Sequence, residues 1–332
     1  RSEEMTDEEK LLLAKLKVLE DKEKEAKMKE DRMEIQQIAD TCVFHYTNTG
    51  TLIGMLKDVS EDNTSMTFWA SHISYMNDPQ EREYGIKKMW DVLKDVEDEL
   101  LIPSKKRITE LDREELEKFI FARNTDKNSL TNMYSVSFSK SFDSLPMWEM
   151  YGQNGNGICF GFDLKKLQVF LESQKMEPLH EIKYGIGENI DNPQTVKEEM
   201  KSWKEYVRYV YEKIVHSIEE KHIFNDLDTA INNYIALLNF IPGNTKHPAY
   251  KYEDEYRLYC REINRKVFFR DRNGSLLPYV EVELPVSALK IITIGPTADK
   301  NRQVMSVAKL LKEKDIDINQ ITFCSSDIPY RP

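Results

Sequence analysis

The sequence predicts an α+β domain preceded by a charged helical leader, and three observations lead there. Apolar residues make up 40% of 332, with 14 Phe, 16 Tyr and 4 Trp, enough to build a sizeable core. Segments of strand character lie toward both ends, with long helical patterns inserted between them, which argues against a doubly wound α/β arrangement. Residues 1–40 stand apart from the rest: they carry 13 acidic and 9 basic residues and no Gly, Pro or aromatic. The division is therefore a helical leader, 1–40, and one α+β domain, 41–332.

In the leader, Leu12, Leu16 and Leu19 recur at helical spacing before the stripe fades into 21–29. An exposed helix results, whose Leu patch offers a surface for a partner protein or a second copy. The pattern then gives a strand at 43–47, a helix at 50–59 and a strand at 66–72. Asn77-Asp-Pro79 opens a helix, with Asp78 as cap, Pro79 at the first position and Glu81 completing a capping box. Helical character runs to about residue 123, broken at Pro103. Residues 132–139 alternate cleanly as a strand. A short helix at 145–151 stops at Gly152, and 157–163 is a strand. Residues 194–240 are mostly helical. Strands follow at 251–261, 280–284 and 290–294, then a helix at 301–314 and a last strand at 321–324. Residues 152–157 lack the spacing and the strand-to-helix context of a dinucleotide fingerprint, so they form a turn.

Composition excludes several functions. A net charge of −11 disfavours generic nucleic-acid binding, which depends on neutralising phosphates. No uncharged apolar stretch is long enough to span a membrane, and the acid-rich start does not read as a signal peptide. Cys42, Cys159, Cys260 and Cys324 are spread along the chain without a C-x-x-C pair, as expected of buried thiols in a reducing cytoplasm. The six histidines show no ligand spacing, so no metal site is expected.

Candidate chemistry lies on three strands. By the period of two, His45 faces opposite to Phe44 and Tyr46, and Ser135, Ser137 and Ser139 share one face of their strand. Glu253, Glu255 and Arg257 share a face of theirs. Two like charges at that spacing repel, and one carboxyl pKa is expected to rise unless Arg257 compensates.

The segments Phe44-His-Tyr-Thr47, Tyr75-Met-Asn-Asp-Pro-Gln-Glu81, Ser137-Phe-Ser139, Met147-Trp-Glu-Met-Tyr151, Gly157-Ile-Cys-Phe-Gly161, Tyr252-Glu-Asp-Glu-Tyr-Arg257 and Pro329-Tyr-Arg331 together resemble a bacterial family known only as a domain of unknown function. More distantly, the order of His, Ser-x-Ser and Glu-x-Glu is similar to the ADP-ribosyltransferases. The pattern is mixed: His45 suits the His-type branch, and Ser137-x-Ser139 with Glu253-x-Glu255 suits the Arg-type branch. The resemblance implies split β-sheets around a cleft, with NAD as substrate. It implies Glu255 as catalytic carboxylate, Glu253 as an aid to the acceptor, and His45 on a ribose hydroxyl. Around NAD it implies Tyr46, Thr47, Tyr75, Ser137, Ser139, Trp148, Tyr151 and Arg257. A toxin or anti-phage effector is the setting it suggests. Two rival readings stand beside it: a non-catalytic ligand-sensing or interaction module, and a nucleotide or nucleic-acid processing enzyme. The locally basic stretch 261–272 reads first as a hairpin edge kept soluble by charge.

Overall fold

The computed structural model describes residues 22, 27–75, 79–112, 114, 118, 133–187, 193–219, 226–262, 265–272 and 274–330. Twelve strands occur among them: β1 Cys42–Thr47, β2 Ser65–His72, β3 Met133–Ser139, β4 Ile158–Asp163, β5 His180–Glu181, β6 Lys183–Tyr184, β7 Thr245–Lys246, β8 Glu255–Arg261, β9 Val267–Arg272, β10 Ser275–Pro285, β11 Leu289–Ile294 and β12 Thr322–Ser325. Ten form one mixed sheet in the order β12-β11-β4-β1-β3-β2-β10-β9, with β8 and then β5 branching from β3. β11 and β12 are parallel, whereas the other pairs in this sheet are antiparallel. β6 and β7 make a separate parallel pair.

The branch at β3 positions the site. β3 pairs along its whole length with β8, from Met133↔Arg261 to Ser139↔Glu255. It pairs with β2 only at Ser71↔Ser135 and His72↔Tyr134, and with β1 only at Phe44↔Ser139. β1 and β2 thus meet opposite ends of β3 and separate between them, leaving the middle of β3 at the floor of a gap. Alternation along β3 sends Tyr134, Val136 and Phe138 into a core shared with Phe68, Phe160 and Phe162. A second face gathers Phe44, Tyr46, Met147 and Trp148.

The helices Pro79–Glu99, Pro193–Glu219 and Asp226–Phe240 build their own core around Ile86, Leu93, Trp203, Val207 and Leu237. These helical insertions agree with the sequence pattern. The leader helix is described over 27–40, where Ile35, Ile38 and Ala39 pack against the Phe44–Trp148 cluster. Leu12, Leu16 and Leu19, and the cap at Asn77 and Asp78, lie outside the described residues.

Three expectations are corrected. Residues 248–253 form a 3-10 helix, so Glu253 is not on the strand that begins at Glu255. Asp254 between them sits in the left-handed region, φ 42° and ψ 55°, a conformation that Asp tolerates better than most residues. The short helix after β1 ends at Met55, and the helix Leu164–Ser173 was not foreseen. The turn 152–157 is tightly packed: a Cβ on Gly157 would lie 2.3 Å from the Thr47 carbonyl oxygen. All four cysteines are free thiols, and three are buried. Among the described residues, no helix is long and apolar enough to cross a membrane, and no cluster fit for a metal occurs.

Candidate functional site

The gap between β1 and β2 opens into a cavity of about 720 Å³, within the range of small-molecule sites. Eight of the residues anticipated from sequence line it: His45, Tyr46, Thr47, Tyr75, Ser137, Tyr151, Glu253 and Glu255. Ser139, Trp148 and Arg257 do not, and each is held elsewhere for a definite reason. Trp148 is fully buried and donates its indole N–H to Asp143 Oδ1 at 2.8 Å. Ser139 is buried and donates to the Glu253 carbonyl at 2.5 Å. It thereby clamps the corner between the 3-10 helix and β8. Arg257 is 1% exposed, and its guanidinium is consumed by protein acceptors.

Those acceptors define the cluster behind one wall. Arg257 grips Glu255 with two N–H groups, Nε at 2.7 Å and Nη2 at 2.9 Å. Its Nη1 reaches Glu81 Oε1 at 2.6 Å and the Gly243 carbonyl at 2.6 Å. Lys246 on β7 is shared by three carboxylates: Glu253 at 2.5 Å, Glu255 at 2.8 Å and Glu81 at 3.5 Å. The Tyr151 hydroxyl donates to the other Glu253 oxygen at 2.9 Å. All five charged residues are buried. Three carboxylates against two cations leave one surplus negative charge at this end of the cavity. Buried charges persist only with such pairing.

The expected rise of a carboxyl pKa does not occur at Glu255. Burial pushes its carboxyl up, but Arg257 and Lys246 outweigh burial and hold it at about 2. Burial works against the Lys246 and Arg257 cations too, yet the carboxylates, Glu255 foremost, raise both above their usual values. Glu255 is therefore ionised at any physiological pH.

His45 approaches from β1. Its Nδ1 lies 3.0 Å from the Ser137 carbonyl oxygen, which can only accept, so Nδ1 carries the proton and Nε2 is left as an acceptor. Burial lowers its pKa and Arg270 lowers it further, against the opposing effect of the Ser137 bond, so the ring is neutral at pH 7. The ring packs at 5.2 Å from Phe68 and 5.8 Å from Phe138, on the apolar face of β3. His45 and Ser137 thus meet through the Ser137 backbone rather than through a shared polar face. Tyr46 lines the cavity but is committed, since its hydroxyl donates to the Ser141 carbonyl and accepts from the Ser144 amide.

Sequence reasoning missed three groups here, and it named a fourth, Ser135, only as one of three serines on a strand face. Glu81 was absorbed by its reading as a helix cap, whereas its carboxylate meets Arg257 and Lys246. Lys246 sits on a two-residue strand and carried no signal beyond being a lysine. Arg270 and Ser135 also line the cavity. Arg270 was legible only as part of a basic hairpin edge, although β9 is indeed the sheet's edge strand paired with β10.

Residues 147–258 match the model of a family described as "Protein of unknown function (DUF2971)". The matched stretch contains Tyr151, Lys246, Glu253, Glu255 and Arg257, and it leaves out His45, Glu81, Ser137 and Arg270. No curated protein and no solved structure matches the chain.

Proposed function

We propose that the chain is a NAD-consuming, ADP-ribosyltransferase-like enzyme. The observation that supports this best is the cavity at the branch of β3, where His45 from β1, Ser137 from β3 and Glu255 from β8 line one space beside a surplus negative charge. In this reading the bond between nicotinamide and ribose C1′ breaks, and its electron pair leaves with the nicotinamide nitrogen. Positive charge develops on the ribose, and a carboxylate already ionised and fixed by Arg257 stabilises it without reorganising. Neutral His45 accepts from a ribose hydroxyl at Nε2. Water or an acceptor hydroxyl adds to C1′, and Glu253 takes its proton. Tyr75, half exposed, and Tyr151 offer aromatic faces to nicotinamide.

A ligand-sensing module without turnover is the second reading, favoured by one feature: both Glu255 oxygens already accept from cations. The test is nicotinamide release from NAD by the full chain, with protein, RNA and DNA acceptors supplied. The enzyme reading expects release, and an elevated KM in His45→Ala. The sensing reading expects NAD to raise the melting temperature with no nicotinamide released. Neither binding nor release would remove both readings.

A further inference from the structure

Away from the Glu253–Glu255 cluster, the cavity changes sign. Cross-strand registers place Ser135 on β3 opposite Ser71 on β2, Ser71 opposite Tyr279 on β10, and Tyr279 opposite Phe268 on β9. Opposed residues share a face, and Arg270, two positions after Phe268, shares it too. The Arg270 guanidinium donates to Ser71 Oγ at 2.7 Å and lies over the rings of Trp69 and Tyr279, 5.8 and 6.0 Å from their centroids. Stacking fixes its plane and leaves its N–H edge for an acceptor.

Ser71 satisfies only part of that guanidinium. Among the described residues Arg270 has no carboxylate within ion-pair distance, and its buried Nε has no hydrogen-bond partner. Ser135 is 3% exposed, and its hydroxyl is likewise buried and unpartnered. Unfilled buried polar groups are rare in folded proteins and call for an explanation. Here two of them line one cavity, and one of the two belongs to a cation with no counter-ion among the described residues. Arg272 and Asp271 also line the cavity, so β9 brings two cations and one carboxylate to this end.

We propose that Arg270, Ser71 and Ser135 form a subsite for the diphosphate group of a nucleoside diphosphate. A planar guanidinium with open N–H groups matches phosphate oxygens in two-pronged fashion, and the Ser135 hydroxyl supplies a further donor. Ser135 and Ser139 are four steps apart along β3, roughly 13 Å, and Ser139 lies opposite Glu255, so the subsite and the carboxylate cluster occupy different parts of that strand. A ligand that places a phosphate at one end and a group gaining positive charge at the other fits both. The assignment rests on the NAD reading for the second end only.

The test is calorimetric titration of the full chain with inorganic pyrophosphate, ADP and adenosine. Wild type is expected to bind ADP and pyrophosphate, more weakly as ionic strength rises. Arg270→Ala should weaken both roughly 10- to 100-fold and leave adenosine unaffected, with Arg270→Lys recovering part of the loss. Ser135→Ala should weaken ADP binding roughly 2- to 10-fold with no fall in melting temperature, because the hydroxyl has no protein partner to lose. If Arg270→Ala destabilises the fold, Ser135→Ala carries the test alone. ADP affinity unchanged in the folded variants, or no greater than adenosine affinity in wild type, overturns the subsite. Failure of the two readings is separable. ADP binding that depends on Arg270, with no nicotinamide release, keeps the subsite and removes the transferase. Nicotinamide release indifferent to Arg270→Ala keeps the transferase and removes the subsite.

Discussion

Glu97 and Glu255 are both buried carboxylates, and they are satisfied in opposite ways. Among the described residues, Glu97, 0% exposed in the helical core, accepts only from neutral groups: the Ile108 amide at 2.6 Å, the Thr109 hydroxyl at 2.5 Å and amide at 3.4 Å, and the Tyr211 hydroxyl at 3.2 Å. It ties the end of the 79–99 helix to the loop after it, and it does not line the cavity. Glu255 is paired with two buried cations that it shares with Glu81 and Glu253, and it opens onto the cavity. Burial of an acid is therefore no sign of function by itself. The informative combination is an acid, costly cationic partners and an adjacent void.

Breaking each arrangement should have different consequences. The largest effect is expected from Arg257→Met, which leaves Glu255 and Glu81 short of a cation. Removing one partner of a buried ion pair costs about 3–5 kcal/mol, measurable by chemical denaturation. A loss below about 1 kcal/mol would mean that the cluster is solvated and loosely held.

The next effect is acid sensitivity. Glu255 titrates near 2 when folded and near 4.3 when unfolded, so its pairing stabilises the protein fully above about pH 4.3. That contribution, about 3 kcal/mol, fades as pH falls toward 2. Denaturation midpoints between pH 5 and pH 2.5 should fall in wild type and fall less in Glu255→Gln. Equal slopes would place the acid sensitivity on other carboxyls.

Glu97→Gln sharpens the contrast. Its amide N–H2 must face a donor now bonded to a carboxylate oxygen, which costs about 1–3 kcal/mol. Melting should fall, while ADP affinity measured in the folded protein should not. Smallest of all is Arg32→Ala. This change breaks an exposed pair with Asp327, whose side chains are 65% and 63% exposed, and it should cost less than about 0.5 kcal/mol by thermal melting.

Alternation made much of the sheet legible in the sequence. The 133–139 segment shows serines on one face and Tyr134, Val136 and Phe138 on the other, and those three enter the main core. The helical insertions were readable from their period. The 3-10 turn before Glu255 was not, because its departure from strand geometry rests on Asp254 in a left-handed conformation that no local pattern announces. At the site, His45, Ser137 and Glu255 were legible as polar positions on strands. Lys246 was not: a buried lysine is recognisable only through the three acids around it, from residues 81, 253 and 255. The same long-range pairing took Arg257 out of the cavity, and with Lys246 it holds the Glu255 carboxyl below its usual range, the compensation by Arg257 that the strand spacing left open.

Nicotinamide release from NAD by wild type, Glu255→Gln and Glu97→Gln, side by side and normalised to folded protein, separates the two buried carboxylates by function. Glu255→Gln is expected to lose roughly 10²–10³ in rate, as for other electrostatic contacts made in a transition state, and Glu97→Gln to keep the wild-type rate. Equal losses in the two variants, or no release by wild type, would contradict the proposed role of Glu255.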